Sequence, residues 1–369
     1  MLNISVSCAA NTAALQSSPS NYSKLAAGTV AGARSLREMV APYAKPDTRR
    51  STIQLLTTVL PYLAMMAALF AGLAYHVWVA LLVIVPAALF LVRVFMIQHD
   101  CGHRAYFKSR WANNLIGALL GVLTLTAYDD WRRSHSAHHA GSGNLERRGI
   151  GDITTMTVRE YLQHTRVRRF LYRLYRHPLV MLGVGPGFQF LLRHRLPAAQ
   201  QMRRWSNWLS ALGTNAAIAA VVVATALVMG LQPLLFGFIP VMLLAASIGV
   251  WLFYVQHQFA ETYWETGGNW SPDAAALEGS SYYDLPRVLH WLTCYIGFHH
   301  IHHLSSKVPN YRLRECFLEN PPLWSAKRLT VRESFKCLRL TLWDEETRRL
   351  VPFAALRQRR VAVEDAKPR

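Results

Sequence analysis

The chain has 369 residues, of which 52% are hydrophobic and only 17% charged, and its formal net charge is +19. Such a composition excludes an ordinary water-soluble globule, in which roughly a quarter of residues are charged. The basic surplus does not mark a nucleic-acid binder either, because the arginines flank uncharged stretches and form no recognition helix or aromatic-studded sheet; orientation in a membrane accounts for them.

In chain order, residues 1–32 lack the basic start and continuous apolar core of a signal peptide and are expected to form a disordered tail. Residues 33–43 have apolar positions at helical spacing, which suits an interfacial helix and equally an ordinary surface helix. No Asp, Glu, Lys or Arg occurs between Arg50 and Arg93, or between Arg204 and Glu261, leaving uncharged runs of 42 and 56 residues. A single crossing needs about 20 apolar residues, so each run holds a hairpin of two spans. The expected spans are 53–74, 77–98, 207–229 and 234–256.

The reversals near 74–76 and 230–233 carry no charge, whereas 17 Lys or Arg against six Asp or Glu lie between His99 and Trp205. Positive charge stays inside, so that side and both termini are expected in the cytoplasm. Residues 111–128 form a further uncharged stretch of 18. A crossing there would separate histidine clusters that belong together, so it is expected to dip into or lie on the bilayer and return. Segment 159–195 reads as basic cytoplasmic helices with an apolar patch resting on the membrane, 285–298 reads similarly, and 356–369 is a charged tail. The expected fold is an all-α integral membrane domain over 33–355, with four transmembrane helices in two hairpins and a cytoplasmic helical cap.

The chemistry lies in three five-residue windows, HDCGH from His99 to His103, HSAHH from His135 to His139 and HHIHH from His299 to His303, which hold nine of the 15 histidines. Residues at i, i+3 and i+4 share one helix face, and imidazole is the commonest metal ligand. One face per cluster offers His99 and His103, then His135, His138 and His139, then His299, His302 and His303. Eight imidazoles exceed what one ion takes and imply two metals. His300 falls outside the repeated spacing and is assigned a structural role; His76, His164, His177, His194 and His290 are isolated non-ligands. Asp100, Asp130, Asp152 and Glu261 are candidates to accept the second N–H of a ligand, and Cys101 is a small buried filler. Five scattered cysteines without a Cys-x-x-Cys pair argue against disulfides and zinc ribbons.

The boxes H-x3-H, H-x2-H-H and H-x2-H-H, with the segments GDITTMTVREY, FYVQHQFAETYW, GSSYYDLPRVLHWLTCYIGFHHIHHLSSKVPNYRLREC and LWDEETRRLVPF, resemble the membrane fatty acid desaturases, and most closely their bacterial acyl-lipid Δ12 or ω6 branch. The likeness runs over about residues 35–355. It implies two iron ions as cofactor, held by the eight box histidines, with His257 in the place of a further ligand before the third box. It also implies an O2-dependent reaction that introduces a cis double bond into a lipid acyl chain, in a bacterial inner membrane. The apolar substrate must then be positioned by an apolar tunnel, for which the spans and residues 115–125 are candidate walls. The chain has no haem-binding His-Pro-Gly-Gly, no GxGxxG and no four-cysteine iron–sulfur pattern, so electrons are expected from a separate carrier of the ferredoxin type. A di-iron hydroxylase or ketolase acting on an alkane, sterol or carotenoid shares the boxes and is the alternative. A metal transporter or sensor is a more distant one, since it would place ionisable groups inside the spans.

Overall fold

The structure, a computed structural model, describes residues 35–356 other than His76. The expected tail at 1–32, the segment beyond 356 and His76 lie outside the described residues. The chain starts with α1 (Leu36–Val40), closed by a capping box in which Ser35 and Glu38 exchange side-chain to backbone hydrogen bonds. Its Val40 is buried against Ile301 and Leu304, so α1 braces the third histidine box instead of lying free at an interface.

Helices α2 (Thr48–Tyr75) and α3 (Val77–Gly102) pack on each other as the first hairpin. Helix α2 begins before the uncharged run because the Asp47 carboxylate accepts the Arg50 N–H at 3.1 Å and caps its first turn. Next come α4 (Arg110–Leu123) and α5 (Tyr128–Gly141), which meet at a 104° bend. Trp111, Leu115 and Leu119 are exposed along one stripe of α4, while Gly117 and Gly121 press against Tyr128 and the Thr126 backbone. An apolar stripe turned outward and a sharp return fit an element that lies along a bilayer. Of the candidate tunnel walls, Leu115 and Leu119 thus face outward, and Leu120 and Leu125 are buried.

Strand β1 (Met156–Thr157) leads into α6 (Val158–Gln163) and α7 (Arg166–Tyr175), followed by a helical run through Leu192 that contains two π-helical turns around Gly185–Gly187. The second apolar pair is α8 (Trp205–Met229) and, after a π-helical turn at Leu234–Phe238, α9 (Ile239–His257). The remaining elements are α10 (Pro272–Leu277), β2 (Tyr282–Asp284), α11 (Arg287–Leu292), α12 (His299–Leu304), α13 (Asn310–Glu319), β3 (Arg328–Thr330), α14 (Val331–Cys337), β4 (Leu342–Asp344) and β5 (Arg349–Val351).

Four stretches are long and apolar enough to cross a membrane: Thr48–Leu73, Leu82–Gly102, Trp205–Met229 and Leu234–His257. The last two fall where expected, whereas the first begins five residues earlier than the expected 53–74 and the second is shifted from 77–98 to run past Arg93 to Gly102. The all-α expectation needs one correction: β1, β4 and β5 form one small sheet, and β2 pairs in parallel with β3 in another. Aromatic residues such as Tyr282, Tyr283 and Trp343 favour extended pairing at these short crossings, too brief for periodicity to reveal. One core runs from Tyr62 and Leu69 of α2 through Leu91 and Ile97 of α3 to Val241 and Val255 of α9. Helix α8 contributes little to it and exposes Leu209, Leu212, Val221, Val223, Leu227 and Val228, as a helix bathed in hydrocarbon does.

Candidate metal centre

The histidines are delivered by four element ends. Helix α3 carries His99 in its last turn, and the His103 N–H donates to the His99 carbonyl at 3.1 Å, so the second histidine of the box follows directly on the helix end. Helix α5 presents His135, His138 and His139 on one side; His257 is the last residue of α9; α12 carries His299, His302 and His303. The ring nitrogens converge in two groups. His99, His103, His135, His139 and His302 form one, and His138, His257 and His303 the other, with all ligating atoms of a group within 4.8 Å of one another. His299 joins the second through its Nε2, 2.9 Å from His257 Nε2. The groups adjoin where His139 and His303 stack at 4.1 Å. All eight box histidines and His257 are thus brought together.

Burial, reinforced by the neighbouring imidazoles, holds His103, His135, His139, His299, His302 and His303 well below their ordinary value. These rings are neutral near pH 7, so each has one lone pair to offer. Three histidines hand Nδ1 to an acceptor: His99 to Asp100 at 3.2 Å, His138 to Asp152, and His257 to the Gly279 carbonyl at 3.1 Å. That fixes the tautomer with the proton on Nδ1 and leaves Nε2 as the donor atom. Their Nε2 atoms point at other imidazole nitrogens, His99 at His135 (2.9 Å) and His138 at His257 (3.3 Å). The buried Nε2 of His103 and of His303 has no hydrogen-bond partner. Ring nitrogens that face one another, with the Nε2 atoms of His103 and His303 left without a partner, form two donor groups of a kind that can hold borderline-soft metal ions.

Of the four acids singled out from the sequence, Asp100 and Asp152 meet a histidine. Asp130 instead accepts the Ala198 N–H at 2.9 Å, and Glu261 pairs with Arg349 and Lys327 at the surface. His300 is buried with its ring against Phe317 and Tyr282, away from both groups. His164, His177, His194 and His290 belong to neither group. Cys101 is fully buried, and among the described residues Cys101, Cys294, Cys316 and Cys337 are unpaired.

Sequence reasoning missed three supporting residues. Asn310 donates its backbone N–H and its side-chain amide to Asp100 and accepts from Gln54 Nε2 at 2.7 Å. Gly279 supplies a carbonyl, which no side-chain pattern can reveal. Trp131 stacks on His135 at 4.8 Å; its position four residues before His135, on the same helix face, was the available signal.

The fatty acid desaturase family model matches residues 74–335. The chain is 43% identical over 339 residues to a protein of Bacillus subtilis named fatty acid desaturase, covering 91% of this chain and 95% of that one. It is 27% identical to the sn-1 oleoyl-lipid 12-desaturase of Synechocystis, over 76% of this chain and 79% of that enzyme. It is also 26% identical to an sn-1 acyl-lipid omega-3 desaturase (ferredoxin) of Nostoc, over 60% of this chain and 61% of that protein. With the family model matching well over half its length, and a relative of this identity along nearly all of it, the chain belongs to the fatty acid desaturase family.

Proposed function

We propose that this chain is an O2-dependent di-iron desaturase that introduces a double bond of the Δ12 or ω6 type into the acyl chain of a membrane lipid. The convergence of nine imidazoles in two adjoining groups carries the reading. Five ligands fall to one ion (His99, His103, His135, His139, His302) and four to the other (His138, His257, His299, His303). The likeness to the lipid 12-desaturase of Synechocystis supports the position of the double bond. The catalytic unit is residues 33–355, in a bacterial inner membrane with the histidines on the cytoplasmic side, supported by the arginine surplus around them.

Bound there, two irons supply the activation of O2 that removes two hydrogens from neighbouring methylenes; with two electrons and two protons from outside, the oxygen leaves as two waters. The protein's part is positional. Asp100, Asp152 and the Gly279 carbonyl orient their imidazoles, and Trp131 stacks on His135. The electron carrier is a small acidic protein of the ferredoxin type. The name of the Nostoc relative and the basic surface both favour it.

The test is expression in a host given defined saturated and monounsaturated chains, followed by mass spectrometry that locates new double bonds. A new double bond that requires O2 and disappears in His302→Ala is expected. An iron-loaded preparation that forms none, or that returns hydroxylated chains, contradicts the reading.

A further inference from the structure

Outside both histidine groups, a cleft of about 540 Å³ opens between β2, α11 and α13. Three of its lining rings are stacked: those of His290 and Phe298 lie within 9° of parallel, and those of Tyr282 and Phe298 within 7°. Arg287 and Arg314 line it, both exposed, and neither guanidinium has an ion-pair or hydrogen-bond partner among the described residues. The one acid in the cleft, Asp284, is already engaged by Arg328 and by the Tyr282 hydroxyl. The cleft therefore offers two guanidiniums without partners among the described residues, beside a stack of the Tyr282, Phe298 and His290 rings.

Its surroundings say where such a ligand comes from. Val288 and Leu318 are exposed beside it, and Trp291 packs on Phe90 of α3 with ring centroids 5.8 Å apart. Phe90 precedes His99 by nine residues, about 13 Å along the helix axis at about 1.5 Å per residue. Helix α11, which lines the cleft through Arg287 and His290, thus also packs on the apolar part of α3. Phe298, which lines the cleft, is the residue before His299. Arginines with free donors at the edge of an apolar surface match anionic headgroups, and the planar guanidinium fork matches phosphate geometry.

We propose that this cleft binds the phosphodiester headgroup of the glycerophospholipid whose acyl chain is the substrate. The proposal rests on the acyl-lipid reading above and adds to it the place where the lipid is recognised. The test uses the full-length, iron-loaded protein in detergent micelles, with one acyl chain presented on phosphatidylglycerol, on diacylglycerol, which lacks the phosphate, and on coenzyme A. In Arg287→Gln/Arg314→Gln, losing two charge-assisted contacts is expected to raise the ratio of KM for phosphatidylglycerol to KM for diacylglycerol at least about tenfold. An unchanged ratio with wild-type activity on phosphatidylglycerol overturns the cleft proposal and leaves the acyl-lipid reading standing. A wild type that accepts only the coenzyme A thioester overturns both. Should the double variant fail to hold iron, Arg314→Gln alone carries the same comparison, since Arg314 is an exposed residue of α13 with no partner to lose.

Discussion

Asp100 and Asn310, 210 positions apart in the chain, are joined at two points: the Asn310 backbone N–H and its side-chain amide both donate to Asp100 Oδ2, at 2.7 and 2.8 Å. The other oxygen of the same carboxylate accepts a hydrogen bond from the Nδ1–H of His99. Gln54 of α2 completes the line by donating to Asn310, so the first apolar helix is tied through three buried side chains to a proposed ligand. Asn310→Leu leaves Gln54 and Asp100 each short of a partner, which costs about 1–3 kcal/mol. A lower melting temperature together with weaker iron retention is expected from thermal unfolding and chelator competition. Iron retention equal to wild type would show that Asn310 has no part in orienting His99.

Asp152 stands in the same relation to His138. Asp152→Asn removes the charge that orients this ring, and loss of such a partner weakens metal affinity by about 10–100-fold. Asp130→Asn and Glu261→Gln, whose carboxylates bind a backbone N–H and two surface cations instead, are expected to leave affinity near wild type. Chelator titration of the three variants separates these outcomes.

Gly117 lies so close to Tyr128 that a Cβ there would overlap its ring, and the Tyr128 hydroxyl donates at 2.7 Å to the carbonyl of Cys101, inside the first box. Overpacking of this kind costs typically about 1–3 kcal/mol. Gly117→Ala is therefore expected to lower thermal stability, whereas Gly213→Ala, where nothing lies within 4 Å, is not. Equal melting temperatures would contradict the close packing of α4 on α5.

Acid should destabilise the protein through His194, whose pKa burial and the flanking Arg195 and Arg193 push down to about 3. The native ring binds its proton less readily than the unfolded one, so its contribution is fully present above the unfolded value of about 6.5 and falls as pH drops toward 3, by at most about 1.4 kcal/mol per pH unit. Removing the titrating group in His194→Asn is expected to flatten stability between pH 6.5 and pH 4.5, as read by chemical denaturation. An unchanged slope would assign the acid sensitivity to other groups.

The parts of this protein that obey a period were legible in the sequence. Uncharged runs of 42 and 56 residues have no other use than four long apolar helices, and histidines at i, i+3 and i+4 declare a shared face before any tertiary contact is known. His257 has no such spacing and was reached only through the resemblance. What supports the rings was not legible, because Asn310 and the Gly279 carbonyl arrive from distant segments, and a backbone oxygen leaves no trace in residue type. Proximity in sequence misled for Glu261 and Asp130, which sit beside the histidines along the chain yet turn to Arg349, Lys327 and the Ala198 N–H. The short parallel pairing of β2 with β3 was equally invisible, since three residues are too few to show alternation.

The claim that two adjoining groups of imidazoles hold two irons is tested most directly by the ratio of iron to protein in the purified full-length chain and in two variants. A ratio near two is expected for the wild type, with His103→Ala and His257→Ala each losing iron, because each removes a ligand from a different group. A wild-type ratio near one, or a His257→Ala variant that keeps its full complement, would contradict it.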